Sequence, residues 1–111
     1  MATSFKILGQ TAPTNSTTAL IPAQGGSSQV VVSTITVANR NTSGVTDYFY
    51  IRVAAGNAAA DNKQYVAYKV SIAAGAVATL TVGLTLGPTD VVYAYSDSGN
   101  CSFNAFGSVN S

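Results

Sequence analysis

The sequence predicts an all-β protein: a single antiparallel β-sandwich, Ig-like or jelly-roll-like, with about eight strands. Three observations lead there. Runs of β-branched and aromatic residues recur at short, regular intervals between clusters of Gly, Pro, Asn and Asp, the pattern of sandwiches and barrels. No stretch sustains the 3.6-residue apolar period of a helix. The length of 111 residues suits one domain spanning 1–111, because chains of this size bury roughly two thirds of their unfolded surface and seldom split into two cores.

Strands are predicted near Phe5 to Gln10, Thr17 to Ile21, Gln29 to Asn39, Tyr48 to Ala55, Gln64 to Ile72, Ala76 to Leu84, Val91 to Ser96 and Cys101 to Phe106. Residues 1–12 suit either a peripheral strand or an arm that adds to a neighbour's sheet edge. Thr17 to Ile21 ends at Pro22, which cannot donate to a ladder, so this run is expected at an edge. Between Gln29 and Asn39, strict alternation puts Val30 and Val32 on one face and Val31, Ile35 and Val37 on the other. That strand is therefore expected to be central or covered on both faces.

Alternation assigns Phe49, Ile51 and Val53 to the core, with Val66, Tyr68, Val70 and Ile72, then Ala78, Leu80, Val82 and Leu84, then Phe103 and Ala105 or their neighbours. Gly25-Gly26 and the Asn41 to Gly44 segment tolerate positive φ and mark turns, and Pro88 fixes φ ahead of Asp90. The links Ala73-Ala74-Gly75 and Ser98-Gly99-Asn100 are short, which points to antiparallel neighbours.

Charge narrows the function. Apolar residues make up 47% of the chain and charged residues only 8%, against about 25% in an ordinary globular protein. Disorder is disfavoured, since it combines low hydrophobicity with high net charge. Lys6, Arg40, Arg52, Lys63 and Lys69 are scattered and almost balanced by Asp47, Asp61, Asp90 and Asp97, so no basic footprint for nucleic acid exists. No apolar run approaches the 20 or so residues of a membrane span. The apolar stretch after Lys6 is too short for a secretory signal, so synthesis in the cytoplasm is expected. The Asn-x-Ser/Thr sequons at Asn15, Asn41 and Asn100 carry little weight without such a signal. Cys101, the single cysteine, reads as a small buried thiol.

Catalysis has few instruments here. Without histidine, neither a Ser-His-Asp nor a Cys-His arrangement can form, and the usual base near neutral pH is missing. All the acids are aspartates in predicted turns, where such side chains cap local amides. Asp61-Asn62 and Asp97 near Asn100 lack the ligand count and spacing of a calcium loop, and Gly25-Gly26 leads into neither a helix nor the Lys-Ser/Thr pair of a P-loop. The expectation is a non-enzyme with no cofactor and no metal.

Tyrosine is the conspicuous residue. In DYFYIRV, Tyr48, Tyr50 and Arg52 oppose the core set, and Tyr93 and Tyr95 make a second same-face pair; Tyr65 and Tyr68, three apart, are expected on opposite faces. Such pairs serve cross-strand packing within a sheet or an interface rich in aromatics and poor in charge. A β-rich chain with this little charge leaves its surfaces and edges unguarded unless partners cover them. Tyr48, Tyr50, Arg52, Tyr93 and Tyr95 are therefore the candidate interface. Single-strand-binding barrels also expose aromatics, but they add a basic groove. Recognition of a neutral carbohydrate needs none.

The stretches TSFKILGQ, VVSTITVANRN, YIRVAAG, QYVAYKVSIAAGAVATLTVGLTL, DVVYAY and NCSFNAFGS, in order along nearly the whole chain, resemble a group of small structural proteins of tailed bacteriophages. The GGSSQ and NTSGVTD turns depart from that pattern. The resemblance implies a virion protein without enzymatic activity, made in the host cytoplasm. Its partners would be other virion subunits, either the major capsid protein or a tail protein. The first reading is a capsid decoration or cement protein that forms a homo-oligomer, with a trimer suited to local three-fold positions. The alternative is a tail, baseplate or fibre component that binds a cell-surface glycan. The resemblance assigns no functional residue.

Overall fold

The computed structural model describes residues 3–111. Its strands are β1 (Thr3–Thr11), β2 (Thr18–Ile21), β3 (Gln29–Asn39), β4 (Asp47–Ala54), β5 (Tyr65–Ile72), β6 (Val77–Leu80), β7 (Leu84–Leu86), β8 (Val91–Ser96) and β9 (Cys101–Asn110). Sheet one runs β1-β9-β3-β6, with β7 also paired to β3, and sheet two runs β2-β8-β4-β5. Every pairing is antiparallel. With β6 and β7 counted as one interrupted strand, this order is that of a jelly roll, two sheets wound from successive Greek keys. The run expected from Ala76 to Leu84 breaks at 81–83, where Gly83 takes a φ of +60°.

The inner faces meet over Val30, Val32, Ile35, Val37, Phe49, Ile51, Val92, Ala94, Phe103 and Ala105. Phe49 of sheet two meets Phe103 of sheet one edge-on, with centroids 6.2 Å apart. Ala78, Leu80, Val82 and Leu84 pack half-buried against this core.

Two expectations about strand faces fail, both through β-bulges. In β3, Val32 pairs with Gly107 and Thr34 with Phe106, so Ser33 is an extra residue, and its hydroxyl donates to the Phe106 carbonyl at 3.1 Å. One extra residue reverses the parity. Val30, Val32, Ile35 and Val37 therefore all point inward while Val31 is exposed, and β3 is central but covered on one face only. In β5, Phe49 pairs with Val70 and Ile51 with Ala67, then Arg52 with Tyr65. The extra residues here are Lys69, held at φ +50°, and Val66. Ala67 and Ile72 are the inward residues, while Val66, Tyr68 and Val70 are exposed rather than core.

The two short links are not hairpins either. Residues 73–76 join β5 of sheet two to β6 of sheet one, and residues 97–100 join β8 of sheet two to β9 of sheet one. A link of four residues is long enough to span about 10 Å, the separation of two packed sheets. A short link thus serves a sheet crossing as well as a hairpin.

Buried polar side chains tie these crossings down. Asn39 donates to the carbonyls of Ile72 at 2.9 Å and Val45 at 3.2 Å, and its oxygen accepts from Asn41 N at 3.0 Å. Asp47, at the start of β4, accepts from the amides of Tyr48 (2.8 Å), Ser98 (3.0 Å) and Asn100 (3.3 Å), and from the Cys101 thiol at 3.4 Å. Asp47 therefore caps a distant sheet crossing rather than its own turn. Burial opposes its charge, but the hydrogen bonds from Ser98, Tyr48 and Ser96 prevail and hold the carboxyl at a pKa of about 2. Burial and the Asp47 charge push the Cys101 thiol up to about 12.

The sheet edges are blunted by shape. β1 carries Lys6 and a bulge at Leu8, where the register jumps between Ile7 and Gly9. β2 has four residues and stops at Pro22, β6 and β7 have four and three, and β5 carries two bulges and Lys69. Two glycines allow close backbone approach: a Cβ on Gly9 would lie 1.7 Å from the Leu20 carbonyl oxygen, and one on Gly107 would lie 2.0 Å from that of Val31.

Candidate interaction surfaces

All six tyrosines of the chain stand on the outer face of sheet two. Register requires it: Tyr50 pairs with Tyr95 and Arg52 with Tyr93 across β4 and β8, and Arg52 pairs with Tyr65 and Tyr48 with Ser71 across β4 and β5. Paired residues of an antiparallel ladder share a face. The five predicted residues, Tyr48, Tyr50, Arg52, Tyr93 and Tyr95, are thus brought together. Tyr65 and Tyr68, expected on opposite faces, join them, because the bulge at Val66 turns Tyr65 outward beside Tyr68.

The rings pack on one another. Tyr50 stacks on Tyr95, with centroids 4.4 Å apart and planes 8° from parallel. Tyr68 meets Tyr50 edge-on at 5.1 Å and Tyr65 at 5.0 Å. The Tyr50 hydroxyl donates to Asp97 at 3.3 Å, and the Tyr65 and Tyr95 hydroxyls lie 3.5 Å apart. Burial, then the hydrogen bond to Asp97, raises the Tyr50 pKa. Burial, then the hydrogen bond to Tyr65, raises that of Tyr95. Both phenols are neutral in any ordinary buffer.

Residues 55–64, between β4 and β5, fold back over this face. Asp61 caps the single turn Asn62–Gln64, accepting from Lys63 N at 3.2 Å, with Gln64 closing a capping box. Gln64 Oε1 accepts from Arg52 Nη1 at 2.7 Å, and the guanidinium lies 4.2 Å from the Tyr93 centroid, a cation–π contact. The Tyr93 hydroxyl donates to Asn57 Oδ1 at 2.6 Å. Asp90 accepts from Gly56 N and Gly87 N, both at 2.7 Å.

Exposure differs sharply within the cluster. Tyr50 and Arg52 keep 7% and 8% of their surface, so their neighbours in this chain already cover them. Tyr68 is 64% exposed and borders a shallow concavity of about 410 Å³ lined by Asn62, Tyr65 and Tyr68. Tyr65, Tyr68 and Asn62 carry no linear motif; only the bulge positions could have revealed them, and nothing in the composition fixes those.

A second surface lies on the opposite side, on the outer face of sheet one. Ile7 pairs with Phe106, and Phe5 lies across Ser108 from Val31. All four are exposed, Phe5 at 85%, with Thr34 and Thr85 beside them in register. No side chain of Asp, Glu, Lys or Arg occupies these rows.

Among the described residues, no three Cys, Asp, Glu or His side chains are grouped so as to hold a metal ion, and no helix is long and apolar enough to cross a membrane.

No protein-family model matches the chain, and no curated protein does. Two crystal structures of a pentameric capsid protein isolated from metagenomic phage sequences are matched over 97% of this chain and 61% and 60% of theirs, at 16% and 13% identity and a TM-score of 0.34 in both cases. The crystal structure of the T13 IBDV viral particle contains a chain matched over 97% of this one at 12% identity, with a TM-score of 0.56. The present chain spans 30% of that chain's length. The likeness to the viral-particle chain is one of fold, and it agrees with the antiparallel sandwich described above.

Proposed function

We propose that this chain is a non-enzymatic structural subunit of a bacteriophage virion, a capsid decoration or cement protein that packs on neighbouring subunits. The observation that carries the reading is the uncharged outer face of sheet one with Phe5, Ile7, Phe106 and Val31 exposed together. Burying a Phe or Ile side chain is worth roughly 1.5–3 kcal/mol, so Phe5 and Ile7 would contribute a substantial share of the free energy of a contact, and repeated copies on one shell would add avidity. The jelly roll is a fold used by viral capsid domains, and the IBDV chain of the same fold is part of a viral particle. Its partners are other virion subunits, the major capsid protein first among them, with copies of this chain arranged as a homo-oligomer, a trimer at local three-fold positions.

The test adds purified protein to particles lacking it and follows binding by sedimentation and image reconstruction. Saturable attachment to the shell, weakened in a Phe5→Ser, Ile7→Ser variant that keeps its fold, is the expected result. A wild-type protein that remains monomeric at high concentration and leaves such particles bare overturns the reading.

A second reading places the chain in a tail, baseplate or fibre, in contact with a cell-surface glycan. The observation favouring it is the aromatic, mostly uncharged outer face of sheet two, on the opposite side of the sandwich from Phe5.

A further inference from the structure

The six tyrosines do more in this fold than pack, because one of them is displayed. Tyr68 combines high exposure with a fixed ring. Its ring stands at 84° to that of Tyr50 and 86° to that of Tyr65, and Tyr50 is itself stacked on Tyr95 and bonded to Asp97. An exposed tyrosine on an ordinary strand would be free to turn; this one is braced from two sides. The backbone that presents it is also unusual. Lys69, next in the chain, is a non-glycine residue held at φ +50°, and such strain together with a bulge commonly marks a place where a side chain is re-aimed for function.

We propose that the corner formed by Tyr65, Tyr68 and Asn62 binds a neutral pyranose sugar, with the Tyr68 ring as its platform. The inference rests on the second reading above and names the site and ligand class for it. A pyranose presents a patch of C–H bonds with partial positive charge, which suits the negative face of an aromatic ring. Its hydroxyls need donors and acceptors at the rim, and Asn62 and Tyr65, which carry an amide and a hydroxyl, line the same concavity. The backbone at Asn62 is held in place because its turn is capped by Asp61. The volume of about 410 Å³ lies in the lower part of the range for small-ligand sites, about 300–1,000 Å³. No acidic or basic side chain lines the corner, which favours a neutral sugar over an anionic one. Two perpendicular rings make a floor and a wall, whereas a polyproline helix docks in an elongated groove between aromatic ridges.

The experiment is a titration of the isotope-labelled full chain, read by backbone amide shifts. The probes are the methyl glycosides of galactose, glucose, mannose and N-acetylglucosamine. Sialic acid and a proline-rich peptide are the rivals. At least one neutral glycoside should shift the amides of Asn62, Tyr65 and Tyr68 with a millimolar dissociation constant. Tyr68→Ala should weaken that binding by about tenfold or more while the remaining spectrum stays native, and Tyr68→Phe should retain it. If Tyr68→Ala fails to fold, Asn62→Ala takes its place, with weakened binding expected. Shifts elsewhere on the outer face of sheet two that survive Tyr68→Ala overturn this site and leave glycan contact standing. Silence from every neutral glycoside overturns both. Sialic acid or the peptide acting at the corner where neutral sugars do not overturns the ligand class.

Discussion

Asp47 should behave as a buried clamp whose charge is required. Its carboxylate closes the crossing between β8 and β9 by accepting from Ser98 N, Asn100 N and Cys101 Sγ, and its pKa falls from 3.8 to about 2. A depressed folded-state pKa stabilises above the unfolded value and loses that stabilisation as pH falls through the folded one. A drop of about 1.8 units corresponds to about 2.4 kcal/mol at neutral pH. Linkage then removes about 1 kcal/mol by pH 3 and about 2 kcal/mol by pH 2. Asp47→Asn replaces one acceptor oxygen by a donor facing amide hydrogens, so it should cost about 2–3 kcal/mol at pH 7. That is a fall in melting temperature of roughly 8–12 °C for a chain of this size. Urea unfolding between pH 7 and pH 2 measures both quantities. The variant should show about 2 kcal/mol less acid sensitivity than the wild type over that window. A variant within about 0.5 kcal/mol of wild type at pH 7, or one with the same acid slope, would refute the clamp.

Gly107→Ala should destabilise by more than about 2 kcal/mol, since a methyl would lie 2.0 Å from the Val31 carbonyl oxygen; chemical denaturation gives the value. Tyr50→Ala removes a ring that stacks on Tyr95 and braces Tyr68, and should cost about 3 kcal/mol in the same assay. A Tyr50 variant therefore reports on the fold before it reports on any contact, which makes Tyr68 the better probe of this face. Lys69→Val should lose about 1–2 kcal/mol because a β-branched residue resists positive φ, while Lys69→Gly should be neutral; thermal unfolding of the pair ranks them.

The strand inventory could be read from the sequence because β-branched runs and turn residues are local signals. The parity of those strands could not. Ser33 differs in no visible way from a regular outward serine, yet its bulge moves Ile35 and Val37 to the same side as Val30 and Val32. In β5, the spacing of Val66, Tyr68, Val70 and Ile72 imitates an inward face, and only the extra residues at Val66 and Lys69 break it. A bulge depends on the partner strand's backbone, so it belongs to the pairing and not to the segment. The tyrosine face was legible where β4 and β8 alternate regularly, and illegible where Tyr65 and Tyr68 depend on the bulges. The sheet crossings were hidden for a different reason: a link of about four residues satisfies both geometries.

Scarce charge suggested unguarded sheet edges, and the fold answers that through geometry. A two-residue lysine guard, Lys6 and Lys69, combines with bulges, Pro22 and the interrupted β6 and β7 to deny an incoming strand a straight run of free amides and carbonyls. Growth of one sheet into the next molecule's sheet is thereby frustrated, while the two broad faces stay open. Strand-by-strand growth into fibrils is thereby disfavoured even where copies are concentrated.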